Sequence, residues 1–398
     1  MVSGNQVRTA RAASRAPYAD PEPDFWALID GYEYALHDVA TVDTAWAAAL
    51  RSAAREAWSV FLQTADLTAH LDHETLLEMG FPPLALPLLT NTVGGLPTLF
   101  GRFDFLETAD GFKLVEFNAE TPFFWMETLR INGLACDFHG RRDPNAGCEA
   151  AVVETMRTSD IGSRSFAVVA SNVYREDFWT AQYIAQLYSN ALETGVPVIP
   201  VHELRVRDDG LYHGARRIDA IHRCYPLEHV ATDSGGAQFA RLVNDGRLTI
   251  VNPGSALFLQ NKLTLALIWS LYQRNKFFDE SHRAAIARFF LPAYTEEPAG
   301  GIWVRKPAFG REGNSISIVE NGRQRTAPES RTYQTQPMLY QQYAPSQKRP
   351  IRLSDGSSNE AFATVTCMIA GGFPGAIGMR LGDEIIDGWA HFQPLAYP

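Results

Sequence analysis

The stretch Arg102-Phe103-Asp104, followed after a short polar segment by Leu114-Val115-Glu116-Phe117-Asn118, decides how the rest of the chain is read. It reads as two strands joined by a turn containing Asp110-Gly111, since glycine supplies the positive φ of tight hairpin loops. Side chains alternate along a strand, so Arg102 and Asp104 share one face, as do Glu116 and Asn118 on the next strand. A three-residue loop, Ala109-Asp110-Gly111, sets Asp104 opposite Glu116 and Arg102 opposite Asn118. Three oxygen donors on one sheet face, two of them carboxylates, suit a hard cation such as Mg²⁺, which takes few protein ligands and completes its shell with phosphates. An exposed hairpin face with alternating polar residues is the plain alternative.

The chain's 398 residues are 46% hydrophobic and 20% charged, a globular composition long enough for two or three packed subdomains. A formal net charge of −10 argues against a nucleic-acid binder, whose interface is basic. Cys136, Cys148, Cys224 and Cys367 show no CxxC or Cys/His spacing, so neither a zinc site nor a disulfide framework is expected. Reduced thiols in the cytoplasm are the simplest reading. Residues 1–20 read as a frayed tail without an apolar signal core, and no run long enough to span a membrane follows.

Residues 21–95 are expected as a helical segment. Phe25, Trp26, Ile29 and Tyr32 stand at helix spacing, an Ala-rich helix follows over Ala45 to Phe61, and another covers His73 to Met79. The hairpin occupies the next unit, 96–135, which ends in a helix starting near Phe123 with Thr121 as N-cap and Pro122 at its first position. The aromatic run Phe123-Phe124-Trp125 suits a core or a substrate pocket. From 136 to 255, strands at Phe166–Ala170 and Val198–Val201, a helix from Glu176 to Leu192 and a return strand near Ile221 indicate a small, mostly parallel sheet. No GxGxxG motif marks a dinucleotide site.

The unit 256–398 carries cations and a glycine loop. Lys262 stands at the mouth of an apolar helix, where it can face a phosphate. Lys306 ends the strand Ile302–Pro307, and Gly310-Arg311-Glu312-Gly313-Asn314 turns into the next strand. Such a turn can close over a polyphosphate, because glycine permits close backbone approach and successive N–H groups bind anionic oxygens. Gln341, Gln342 and Tyr343 end an apolar segment, as expected of a hinge beside an adenine, and Arg380 ends a late strand.

In this order the motifs resemble the glutathionylspermidine synthase family, a circularly permuted branch of the ATP-grasp ligases, over residues 25 to 398. The resemblance implies an α/β (α+β) ATP-grasp fold. It makes Asp104, Glu116 and Asn118 ligands of Mg²⁺, with two ions expected, and Lys262 and Lys306 the ATP-phosphate lysines. Arg102 and Arg380 become the catalytic cations beside the transferred phosphoryl group, Gly310 to Asn314 a mobile lid, and Gln341, Gln342 and Tyr343 the adenine hinge. The family's amidase domain has no room in this chain.

The implied reaction joins a small-molecule acid to an amine by way of an acyl phosphate. Phosphoryl transfer needs positioning and charge neutralisation rather than a protein nucleophile, which fits the absence of a Ser-His or Cys-His pair. Glu120, Glu127 and Glu312 are candidates for holding or deprotonating the amine. Where the family reads Asn-Ala-Asp-Thr/Ser, this chain reads Asn118-Ala119-Glu120-Thr121, and the aromatic run beside it points to substrates other than glutathione and spermidine. A nucleotide-binding regulator without turnover and a kinase that stops at a phosphorylated product are the alternatives.

Overall fold

The computed structural model describes residues 25–159, 161, 165–326 and 331–398, and the expected tail at 1–20 lies outside them. The expectation of a helical segment over residues 21–95 is overturned at residues 25–43. Short strands stand there instead: β1 (Leu28–Ile29), β2 (Tyr32–Glu33) and β3 (Ala40–Thr41). Asp30 and Gly31 both hold positive φ, at 48° and 85°, and close a two-residue hairpin that a helix cannot accommodate. The helical spacing of Phe25 and Trp26 therefore reflects burial along a looped path.

Helix α1 (Thr44–Ala65) begins where Asp43 caps it by accepting from the Trp46 amide, and α2 (His73–Glu78) is capped by Asp72 in the same way. The buried stripe of α1, including Trp58 and Phe61, carries the next two strands, β4 (Phe100–Thr108) and β5 (Gly111–Asn118). Phe103 and Phe117 stack at 3.9 Å between centroids, and Phe61 meets Phe117 at 5.0 Å. A Cβ at Gly101 would lie 2.5 Å from the Phe117 ring, so that position has to be glycine for the ring to lie flat. The opposite face of this hairpin is polar.

The helix expected from Phe123 starts later, at Trp125, because Phe124 holds φ at 86°. It opens with a π turn (Glu127–Ile131) and runs into α3 (Asn132–Phe138), with α4 (Cys148–Thr158) beyond. Phe124 and Trp125 pack into the core against Phe392 and Phe100. Phe123 is partly buried, and its carbonyl accepts from Arg102 at 3.1 Å.

The parallel unit contains β6 (Phe166–Ala170), α5 (Arg175–Leu192), β7 (Val198–Pro200), a meander of β8 (Leu204–Arg207), β9 (Gly210–His213) and β10 (Arg216–Ile218), then β11 (Ala220–Arg223), α6 (Gly236–Asn244) and β12 (Thr249–Val251). Its sheet has the order β12-β11-β6-β7, all parallel. Three helices follow, α7 (Ser255–Gln260), α8 (Leu263–Gln273) and α9 (Glu280–Phe289).

The remaining strands build two antiparallel sheets. One orders β13 (Ala293–Tyr294), β17 (Met338–Gln342), β14 (Ile302–Pro307), β15 (Ser317–Glu320) and β16 (Arg323–Gln324) side by side. The other adds β18 (Lys348–Arg352), β19 (Ser358–Ala370), β20 (Phe373–Gly382) and β21 (His391–Gln393) to the β4–β5 hairpin, with β19 pairing directly to β4. Strand β22 (Leu395–Ala396) runs parallel to β3. The polar face of the hairpin and the loop after β14 thus face a common cleft.

Candidate active site

The hairpin register places Asp104 opposite Glu116 and Arg102 opposite Asn118, the pairing expected from the residues. The loop is not the expected one. Thr108 pairs with Gly111 across a two-residue turn, and the register shifts between Asp104 and Phe105 so that Val115 is an extra residue on β5. This bulge restores the parity that the short turn removes, and it lets Leu114 and Phe117, three apart, both face the core. The sequence held the signal: two core residues at an odd spacing cannot sit on one face of an unbroken strand.

The four polar side chains touch one another. Arg102 donates to both oxygens of Asp104, Nε to Oδ1 at 2.8 Å and Nη2 to Oδ2 at 2.7 Å. The Asn118 amide donates to Asp104 Oδ2 and to Glu116 Oε1, each at 3.1 Å. Glu116 Oε2 stands 3.0 Å from Lys262 Nζ. Burial by itself raises a carboxyl pKa, yet Lys262, Lys306 and Arg102 together hold Glu116 well below the usual range. At Asp104 burial prevails over Arg102, reinforced by the like charge of Glu116, and the pKa moves up. The donors are all oxygen and the Asn118 N–H₂ lies between the carboxylates, so the set fits a hard divalent cation once the amide turns its oxygen inward.

Lys262 and Lys306 converge on this face from α8 and β14. Lys306 Nζ donates to Gln341 Oε1 at 2.6 Å and to the carbonyl of Val115, the bulged residue, at 3.2 Å. Gln341 in turn donates to the Leu114 carbonyl at 3.1 Å. Its side chain, placed in the sequence reading with Gln342 and Tyr343 at an adenine hinge, is turned inward to position Lys306. Gln342 is exposed, and Tyr343 bonds Glu384. Burial brings Lys306 down to about 8, against the opposing pull of Glu116.

The glycine loop is docked. Lys262 Nζ donates to the Gly310 carbonyl at 2.8 Å, and Arg311 reaches Thr121 at 3.1 Å and pairs with Glu228. Gly313 holds φ at 69° against the backbone of Ile386 and Asp387, where a Cβ would meet the Ile386 carbonyl at 3.0 Å. Between this loop and the sheet lies a cavity of about 360 Å³, lined by Glu312, Gly313 and Asn314 on one side and by Ile316, Phe362 and Glu384 on the other. Arg380 donates to the Asp387 carbonyl at 2.6 Å.

The three candidate acids for the amine have different surroundings. Glu120 is wholly buried, accepts from Arg223 and from the Leu227 amide at 2.6 Å each, and is removed from solvent. Glu312 lines the cavity. Glu127, 3% exposed at the start of the π turn, accepts from the Tyr34 hydroxyl at 2.7 Å through Oε1, while its buried Oε2 has no hydrogen-bond partner. Burial raises its pKa, and the nearby Arg380 and Arg102 temper the rise.

One polar cluster escaped the sequence reading. Arg223 donates to Glu120, to the Tyr225 carbonyl and to the Asn252 carbonyl, and the Asn252 side chain makes five hydrogen bonds to the backbone at residues 99, 100, 119 and 120. It ties the ends of β11 and β12 to both ends of the hairpin. Arg223-Cys224-Tyr225 and Asn252-Pro253 carry no periodic or motif signal that predicts this joint.

A family model described as glutathionylspermidine synthase preATP-grasp matches residues 15–397. A protein of Haemophilus influenzae, provisionally named an acid–amine ligase, is 26% identical over 245 residues, and the match spans 56% of this chain and 56% of that relative. A glutathione synthetase-like effector of Globodera pallida in its apo form has the same fold, with a TM-score of 0.56 at 12% identity over 99% of this chain and 96% of that one.

Proposed function

The chain belongs to the glutathionylspermidine synthase family, and from that premise we propose that it is an ATP-dependent acid–amine ligase releasing ADP and phosphate. The observation that carries the reading is the convergence of Asp104, Glu116 and Asn118 with Lys262 and Lys306 on one hairpin face. Asp104, Glu116 and Asn118 would hold Mg²⁺. Bound there, the metal supplies charge neutralisation between ATP phosphate oxygens.

The chain's own residues then divide the work. Lys262 and Lys306 exchange their present partners, the Gly310 carbonyl and Gln341, for phosphate oxygens. Arg102 and Arg380 flank the group in transfer and stabilise the charge that spreads over it. The acid's carboxylate oxygen attacks the γ-phosphorus, the bond to the ADP oxygen breaks, and an acyl phosphate results. The lid, clamped through Arg311 and Gly313, keeps water from that mixed anhydride. The amine nitrogen next attacks the acyl carbon, phosphate leaves, and the free oxygen of Glu127 takes the amine proton. Gln342 and Tyr343 border the base, with the cavity beside the lid as its seat. Both substrates are small molecules or a short peptide.

An ADP-release screen over a panel of acids and amines, with mass spectrometry of the products, tests the reading. Amine-dependent amide formation is the expected result. Tight binding of Mg·ATP with no pair stimulating its cleavage would replace the ligase with a nucleotide-binding regulator. A phosphorylated acid accumulating as the stable product would make it a kinase.

A further inference from the structure

Away from the cleft, among the described residues, one ligand atom from each of His37, Asp38 and His139 lies within 4.8 Å of the other two. The residues come from segments a hundred positions apart, and three fixed elements bring them together. Residues 37–38 are pinned on both sides, by the Leu36 amide on the Phe392 carbonyl at 2.9 Å and by β3 on β22. Gln393 donates to the Asp38 carbonyl. His139 ends α3, which is tied to the same C-terminal strand through Asn132 and the Leu395 carbonyl at 2.9 Å.

Two further observations point to a cation. His139 Nε2 lies 2.9 Å from the His37 backbone carbonyl. A carbonyl only accepts, so Nε2 carries a proton; in the neutral ring the lone pair is then on Nδ1, the arrangement of ligating histidines that a backbone carbonyl orients. His139 also caps the C-terminal end of a helix, where unpaired carbonyls favour positive charge. The nearest competing cation is Arg352, whose Nε stands 3.7 Å from Asp38 Oδ2 in a mostly exposed pair that solvent screens. All three side chains are half-buried, reachable yet held.

We propose that His37, Asp38 and His139 form a site for Zn²⁺ or a similar late transition-metal ion, which clips the N-terminal strap to α3 and the C-terminal strand. Two imidazoles and a carboxylate are a zinc donor set, with water in the fourth position. Zinc bonds of about 2.0–2.1 Å need the donor atoms closer than they stand, so the proposal requires the three side chains to rotate inward on binding. The site stands apart from the acid–amine ligase reading.

Zn²⁺ alone is the probe. The chelator-stripped full chain, with Mg²⁺ in excess to fill the cleft, is titrated by calorimetry and followed by thermal unfolding. Saturation at a single Zn²⁺ per chain and a rise of several degrees in Tm are expected. Both effects should vanish in His139→Ala and in His37→Ala; the second keeps the backbone carbonyl that orients His139. Asp104→Asn should retain them. Co²⁺ substitution should give the intense visible bands of a four-coordinate ion in the parent and not in Asp38→Asn. Absence of saturable Zn²⁺ binding, or binding that survives both histidine substitutions, overturns the proposal.

Discussion

Two polar clusters sit on either side of the residues that follow the hairpin, and they differ in one respect that governs their use. Around Glu120, Arg223 and Asn252 the charged groups are sealed, with no side chain reaching solvent and nearly every contact made within the chain. Around Asp104, Glu116, Lys262 and Lys306 the charges are close-set but open on one side, with Glu116 retaining 24% of its side-chain exposure. The sealed cluster cannot change partners. On the proposed reading the open one can, its lysines leaving the Gly310 and Val115 carbonyls and Gln341 for phosphate oxygens. Burial therefore separates a joint from a site more sharply than residue type does.

Each substitution that follows would break or sharpen that contrast. The largest effect is expected from Arg223→Met, which removes the charge hydrogen-bonded to Glu120 and leaves it the Leu227 amide and the more distant Arg311, at 3.6 Å. Loss of a buried partner costs about 3–5 kcal/mol, so chemical denaturation should show a large drop in midpoint, with any activity loss following unfolding. An unchanged midpoint would mean that the sealed cluster is no joint.

Lys306→Ala and Glu116→Ala should do the reverse. Removing one preorganised charge costs about 10²–10³-fold in rate, read as ADP formation with the matched acid and amine, while the denaturation midpoint stays near that of the parent. Normal turnover in either variant would refute the site.

A smaller effect separates the clusters by pH. The Lys306 pKa is lowered to about 8 by burial, so the ammonium is present below that pH and is lost as pH rises through it. ATP affinity should fall up to about tenfold per pH unit above that point. Lys306→Arg, which cannot lose its proton in this range, should hold its affinity flat, and a fall persisting there would assign the titration to another group. The smallest effect is expected from Tyr34→Phe. It removes one hydrogen bond of about 1 kcal/mol from Glu127, so amine transfer should slow several-fold while acid-dependent phosphoryl transfer is unaffected. Equal loss in both steps would make Glu127 a structural residue like Glu120.

The open cluster was legible in the sequence and the sealed one was not, for a physical reason. Arg102, Asp104, Glu116 and Asn118 lie on one hairpin, so period-two alternation alone assembles them, and the strand Ile302–Pro307 announces Lys306 at its end. The sealed cluster joins Glu120 to Arg223 and Asn252 across long separations, where no local period reports contact. The parallel sheet followed from its apolar runs. The N-terminal strap did not, because Asp30-Gly31 is a two-residue signal competing with a longer, misleading spacing of aromatics. Glu127 was named among three acids by type; Glu120 and Glu127 each keep a buried oxygen without a hydrogen bond, and only packing shows that the one on Glu120 faces Arg311 at 3.6 Å.

The extra residue at Val115 also makes the two halves of the hairpin independent in phase. From Gly111 to Leu114 the strand keeps the register that the two-residue turn sets; from Glu116 onward it keeps the register of the cleft. Loss of Val115 would leave an unbroken strand on which Leu114 and Phe117 still share the core face and Asp104 still pairs with Glu116, while withdrawing the carbonyl that steadies Lys306. The bulged residue is thus a tuning element for the lysine, insulated from the geometry of the carboxylates.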